Sequence, residues 1–151
     1  MAAARPKAVL FACSMNAVRS PMAAALMQQM FGKAIPATSA GVHKGELDPF
    51  AVVVMDELGI DMKRHRPMSF EELQEFEGIE ADLVVTLSPD AHHKAMTLTH
   101  TLPIAVEYWP TPDPTVEEGN REQRLESYRA VRDQLLAKIR SRFGPHARGN
   151  E

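Results

Sequence analysis

Ala8-Val9-Leu10-Phe11-Ala12, followed by Cys13-Ser14-Met15-Asn16-Ala17-Val18-Arg19 and then Ser20-Pro21-Met22, decides the fold. The apolar run reads as a short buried strand. The polar stretch after it reads as a loop, and Met22 to Phe31 reads as a helix with Met22, Leu26, Met30 and Phe31 near one face and Gly32 as its stop. Ser20 ahead of Pro21 is a capping side chain before a proline at the first helical position. A buried strand that feeds a helix through one loop is the opening half of a βαβ unit.

The same alternation continues outward. A second strand surrounds Ala37-Thr38-Ser39. Asp48-Pro49 opens a helix with Phe50, Val54 and Leu58 inward and Gly59 as terminator. Ser69 with Glu72 forms a capping box ahead of a short helix through Phe76. Asp82 to Leu87 is a strand, Ser88-Pro89 starts a helix through about Met96, and Pro103 to Tyr108 is a further strand. A loop with Pro110, Pro112 and Pro114 leads to a final helix over Arg121 to Phe143, striped by Leu125, Tyr128, Val131, Leu135 and Ile139. Strands alternating with helices predict a three-layer α/β/α arrangement around a parallel sheet. Ser20 and Ser88 directly follow strands read as central, and ligands of open parallel sheets bind beyond the carboxyl ends of the strands.

Composition sets the limits. The chain has 151 residues, 44% hydrophobic and 25% charged, with a formal net charge of −3. That suits one globular domain over 1–151, with flexible tails expected at 1–6 and 144–151. The mild charge argues against bulk nucleic-acid binding, and no apolar run is long enough to cross a membrane. Cys13 is the single cysteine, so neither an internal disulfide nor a cysteine-rich metal site can form, and a cytoplasmic, reducing setting is expected. His92-His93 does not make a metal face on a helix, and no metal or cofactor is expected. Lys63-Arg64-His65-Arg66 and Glu117-Glu118 read as solvated surface.

The chemistry concentrates between Cys13 and Ser20. A loop that wraps into a turn points successive N–H groups inward as an anion nest, and the following helix adds its free N–H groups and the positive end of its dipole. Arg19 closes that ring with a planar fork suited to two phosphate oxygens. The same field favours a thiolate at Cys13, and Ser20 is placed to donate a hydrogen bond to it. The result is a nucleophile under a tetrahedral oxyanion, which suits phosphoryl transfer through a cysteinyl phosphate. A cysteine after a buried strand also serves simply as a small apolar residue. The proton for a leaving oxygen is assigned to Asp113 in Pro112-Asp113-Pro114. Thr111 and Asp113 both precede prolines, which stiffens the loop, and it follows a strand whose end lies at the same sheet edge as the Cys13 loop.

Cys13 to Pro21 resembles the active-site loop of the low-molecular-weight protein tyrosine phosphatases, whose fold the thioredoxin-linked arsenate reductases share. Thr38-Ser39-Ala40-Gly41, Gly59-Ile60-Asp61, His65-Arg66, Ala81 to Leu87 and Asp113-Pro114 look like the later landmarks, so the resemblance spans about Lys7 to Phe143. It implies a four-stranded parallel sheet flanked by helices. It also implies Cys13 as nucleophile, Arg19 as phosphate clamp, Asp113 as acid and then base, and Asn16 and Ser20 as loop-shaping and thiolate-supporting residues. Ser14, Met15, Asn16, Ala17, Val18 and Ser20 would line the phosphate site. A phosphorylated protein or a small phosphomonoester would be the partner.

Departures from the family pattern separate the possible functions. Glycine usually stands where Met15 does, and a second cysteine where Val18 does. Thr115 and Val116 follow Asp113-Pro114 where phosphotyrosine enzymes carry aromatic residues, which leaves Trp109 as the candidate aromatic wall. The Trp109-to-Asp113 segment looks closer to the arsenate reductase branch. Those enzymes relay a disulfide through further cysteines of their own chain, and here Ser88 stands near one such place. Three functions follow: a cysteine phosphatase acting on phosphomonoesters such as protein phosphotyrosine; an arsenate reductase drawing on an external thiol such as glutathione with glutaredoxin; and a non-catalytic phosphate-binding regulatory module.

Overall fold

The computed structural model describes residues 5–144. Four strands, β1 (Val9–Cys13), β2 (Ala37–Gly41), β3 (Leu83–Thr86) and β4 (Ala105–Tyr108), form one sheet in the order β2-β1-β3-β4, parallel throughout. Five helices, α1 (Arg19–Phe31), α2 (Pro49–Asp56), α3 (Phe70–Phe76), α4 (Pro89–Leu98) and α5 (Arg121–Phe143), cover it, with 3-10 turns at Gly32–Ala34 and Pro114–Val116. This is the α/β architecture with a four-stranded parallel sheet that the alternation and the resemblance imply.

Strand alternation explains the two layers. All of β1 is buried, and its side chains divide by parity. Val9, Phe11 and Cys13 face a core built with α1, α2 and α5, including Met22, Met27, Val54, Tyr128 and Leu135. Leu10 and Ala12 face the other core with Phe70, Leu73, Ala91, Ala95 and Leu98 of α3 and α4. Parity therefore aims the Cys13 side chain at the α1 layer, at the carboxyl end of the central strand.

The helix ends show where local grammar holds and where it is overridden. Asp48, Ser69, Ser88 and Asn120 cap α2, α3, α4 and α5 through side-chain bonds to the first turn. Ser20 does not cap α1. That helix begins at Arg19, with Val18 at the N-cap position and no side-chain cap bond, because the Ser20 hydroxyl is turned to Cys13 Sγ, 2.9 Å away. Leu58 is not inward: α2 ends at Asp56, Leu58 is 42% exposed, and Ile60 takes the buried place after a turn at Gly59, whose φ is +75°. The strand read from Pro103 begins at Ala105, and β2 extends to Gly41 because Gly41 pairs with Cys13.

Trp109 is not an aromatic wall of the site. It is 5% exposed, packs edge-on against Phe11 with ring centroids 6.0 Å apart, and gives its indole N–H to Glu107. Of the segments expected to be tails, Arg5 bonds the Phe143 carbonyl and Pro6 is buried, whereas 1–4 and 145–151 lie outside the described residues.

The α2–α5 contact is clamped by charge. Arg132, buried on α5, donates to the Val54 carbonyl and to Glu57, and Arg129 meets the same carboxylate. Hydrogen bonds from Arg129, then Arg132, outweigh the burial of Glu57 and hold it below the usual carboxylate range.

The corrected end of α2 is open to direct test. Met55→Ala, at a fully buried position, should lower unfolding free energy by about 2–5 kcal/mol in urea titration. Leu58→Ala should change it by no more than about 0.5 kcal/mol.

Candidate active site

The loop between β1 and α1 is shaped by where its carbonyls go. Cys13 O accepts from Val42 N–H, Ser14 O from His43 N–H, Met15 O from Gly45 N–H, Ala17 O from Asp48 N–H and Val18 O from Met22 N–H, at 2.8–3.2 Å. Asn16 O accepts from His65 Nε2 at 3.0 Å. Every carbonyl from Cys13 to Val18 is thus drawn outward by the segment after β2, by His65 or by α1. The N–H groups of Ser14 to Val18 have no acceptor among the described residues. Outward carbonyls with free N–H groups make the nest that the sequence suggested.

Asn16 makes the bend possible. It is the non-glycine residue with a left-handed backbone, φ +55°, among the described residues. Its Oδ1 accepts from Met68 N–H, and its Nδ2 donates to Ser20 Oγ and Ser39 Oγ, each at 2.9 Å. Met15, at the usual glycine position, is not left-handed and needs no glycine. Its side chain is 43% exposed and lies against Gly45. The close approach that does need glycine falls at Gly41, where an added Cβ would lie 2.3 Å from His43 O and 2.8 Å from Asn16 N.

Cys13 is buried, with Ser20 Oγ at 2.9 Å and Ser20 N–H donating to its sulfur at 3.4 Å. Asn16 already donates to Ser20 Oγ, which leaves the hydroxyl proton for sulfur or for the more distant Ala40 carbonyl. This is a donor pair suited to a sulfur anion.

Arg19 is 8% exposed, and among the described residues it pairs with no carboxylate. Its guanidinium donates to the Thr111 carbonyl at 3.0 Å and to Ser14 Oγ at 3.5 Å. Arg132, equally buried, is matched by Glu57 and Asp133. A buried charge without a counter-charge is costly, and here it sits beside free N–H groups. The two features ask for the same thing, an anion from solution.

Arg19 also ties in the second loop. Thr111, whose carbonyl it grips, bonds Leu87 O through its N–H, so the loop after β4 folds back over the sheet edge. Asp113 then enters the cavity lined by Cys13, Ala17, Val18 and Arg19, about 250 Å³ in volume. Its backbone is extended, as a residue before proline must be. Oδ1 accepts from the N–H and hydroxyl of Thr115 at 2.9 and 2.7 Å.

Of the other candidate residues, Met15 and Ala17 line the cavity, Val18 reaches it from the core, and Ser20 lies beneath the sulfur. The Ser14 side chain turns to Asp90 at 2.9 Å, where Ser88 also donates. Burial opposes the charge of Asp90, but these hydroxyls and the Ala91 N–H outweigh it and hold its carboxyl below the usual range.

Sequence reading missed Gly45, Glu46, Asp48 and Thr115 on the cavity wall, and Ser39 and His65 behind Asn16. Asp48 was visible only as a cap. Its second oxygen accepts from Tyr128 OH at 2.6 Å; burial and then Asp48 push the Tyr128 phenol well up. Ser39 and His65 belong to landmarks of the resemblance, but they meet the loop only in space, and no spacing gives them a role there. Among the described residues no group of three or more His, Cys, Asp or Glu is placed to hold a metal.

The model of the low molecular weight phosphotyrosine protein phosphatase family matches residues 8–143. An arsenate reductase of Bacillus subtilis (strain 168) is 34% identical over 131 residues, which cover 85% of this chain and 89% of that protein. A low molecular weight protein tyrosine phosphatase from T. tengcongensis superposes with a TM-score of 0.70 at 28% identity, covering 87% of this chain and 94% of the other. An arsenate reductase in a phosphate-binding state gives 0.68 at 26% identity, covering 89% and 95%.

His65 makes the loop sensitive to pH. Burial lowers its pKa, with its bond to Asn16 O opposing, so the fold favours the neutral ring. Its contribution to stability is full above the unfolded value near 6.5 and is lost as pH falls through that value toward the lower folded one. Urea midpoints should therefore drop between pH 7.5 and 5.5, and His65→Gln should flatten that drop; equal slopes in both proteins would contradict it.

Proposed function

The chain belongs to the low molecular weight phosphotyrosine protein phosphatase family, and from that premise we propose that it is a cysteine-dependent phosphatase working through a cysteinyl-phosphate intermediate. The observation that carries this reading is Arg19, buried and, among the described residues, without a carboxylate partner, beside N–H groups of Ser14 to Val18 that have no acceptor there.

In this mechanism the phosphoryl oxygens bond the N–H groups of the loop and the Arg19 fork. The charge that develops on them is met by donors already in place, so little reorganisation is required. Cys13 Sγ, supported as an anion by both donors of Ser20, attacks phosphorus in line. Asp113 gives its proton to the departing oxygen, and the P–O bond breaks as the S–P bond forms. A water then attacks the cysteinyl phosphate while Asp113 takes its proton, which releases phosphate and the thiolate. No metal or cofactor takes part. Phosphotyrosine in a protein is the substrate this reading puts first. A cytoplasmic setting suits a single thiol that must stay reduced.

The match to arsenate reductases favours a second reading. Arsenate has the geometry of phosphate and would occupy the same nest. Two electrons are then needed, and Cys13 is the only thiol of the chain, so they would come from glutathione with glutaredoxin. The reading as a non-catalytic module rested on Met15 in place of glycine, and the left-handed bend falls at Asn16 instead.

Assays on the purified protein decide between these. Para-nitrophenyl phosphate should be hydrolysed in the presence of EDTA and inhibited by orthovanadate, and Cys13→Ser should abolish turnover. Asp113→Asn should slow a poor leaving group by about 10²–10⁴-fold and para-nitrophenolate by less. A metal requirement would exclude the mechanism. Arsenite formation with glutathione and glutaredoxin, without ester hydrolysis, would establish the second reading.

A further inference from the structure

The floor of the cavity is cationic and its rim is not. Three carboxylates line it, those of Glu46, Asp48 and Asp113, and no aromatic side chain does. Asp48 is occupied on both oxygens, by Phe50 N–H and Tyr128 OH. Glu46 is exposed and has no hydrogen bond or ion pair among the described residues. Thr115 also lines the cavity, and from it the chain runs on through Val116, Glu117 and Glu118, all exposed. Neither of those glutamates has an ion pair among the described residues. Of the nearby cations, Arg121 and Arg124 lie over the Phe50 ring at 5.8 and 4.7 Å, Arg124 sharing a groove with Glu46 without an ion pair to it, and Lys44 holds Glu72.

A phosphoryl dianion on its way to Arg19 passes the unpaired carboxylate of Glu46, which repels it, and Glu117 and Glu118 follow Thr115, on the same wall, in sequence. The repulsion reverses when the molecule carrying the phosphoryl group brings positive charge of its own. Resting on the phosphatase reading above, we propose that Glu46, Glu117 and Glu118 select phosphorylated peptides bearing Lys or Arg next to the phosphorylated residue. The phosphoryl group enters the nest while the flanking cation stays at the rim, and the substrate matches a site that is positive inside and negative at its edge. Selection of this kind needs no aromatic wall. It acts through wet, partly screened charges, so it depends on salt.

Three phosphotyrosine peptides of equal length, flanked by Lys, Ala or Glu, test this. At low ionic strength kcat/KM should be about tenfold or more higher for the Lys peptide than for the Glu peptide, and the gap should close near 0.5 M salt. The triple variant E46K/E117K/E118K should reverse the order. Calorimetric binding of the same peptides to Cys13→Ser should rank them alike without turnover. Equal kcat/KM and equal binding for the three peptides, with para-nitrophenyl phosphate still hydrolysed, would overturn this inference and leave the phosphatase reading standing. A protein that neither hydrolyses para-nitrophenyl phosphate nor binds any of the phosphopeptides would remove both.

Discussion

The structure turns on the outward pull on six consecutive carbonyls, Cys13 to Val18. A peptide unit cannot point its carbonyl and its N–H the same way. Once Val42, His43, Gly45, Asp48 and His65 claim five of the oxygens and Met22 of α1 the sixth, the N–H groups are left to converge on the space above the sulfur. The nest is therefore held largely from outside, by a segment that follows β2 and by one histidine, around the left-handed bend that Asn16 supplies. This explains why the register matters so much: Cys13 pairs with Gly41, and the chain leaving Gly41 reaches the loop carbonyls only because the two strands end together.

Sheet topology does the remaining positioning. With β1 central and β2 and β3 on either side, three connections leave the same edge. The loop after β1 brings Cys13 and Arg19, the segment after β2 brings the donors, and the capped start of α4 after β3 holds Ser14. The loop after edge strand β4 brings Asp113. Arg19 links the first of these to the last through the Thr111 carbonyl. One guanidinium therefore carries the site's positive charge and fixes the distance between the two loops that would share a substrate. Its desolvation is offset within the described residues only by hydrogen bonds to the Thr111 carbonyl and Ser14 Oγ, whereas Arg132, equally buried, is doubly paired.

Much of this was legible in the sequence, for identifiable reasons. Alternating apolar runs and capping residues are local signals, so α3 and α5 fall where Ser69, Glu72 and the Leu125-to-Ile139 stripe put them. The Cys13-to-Arg19 loop and Asp113 are visible because their chemistry is compressed into short segments. Ser20 was misread for an instructive reason. A serine before proline is ordinarily a cap, but here the same hydroxyl is claimed by Cys13 Sγ and Asn16 Nδ2, and a tertiary bond displaced the local one. Leu58 failed likewise: helical periodicity was extrapolated past Asp56, and the chain turned at Gly59 to bury Ile60 instead. Ser39 and His65 stand within landmarks of the resemblance, but their part at the loop, like that of Glu46, comes only through contacts between segments distant in sequence.

The single thiol determines how the two chemistries of this fold can part. Once phosphorus is on Cys13 Sγ, hydrolysis needs only water and a base to take its proton, and Asp113 lines the same cavity as that sulfur. Reduction needs a second thiol within reach of the first. The position beside the loop that could offer one carries Ser88, whose hydroxyl lies 3.4 Å from Ser14 Oγ and is spent on Asp90 and on the first turn of α4. A hydroxyl there cannot form a disulfide, and its hydrogen bonds tie the first turn of α4 to the Cys13 loop through Asp90 and Ser14. Any reductive turnover would have to bring its thiol from outside the chain to Cys13, in a cavity whose wall also carries the carboxylate of Glu46.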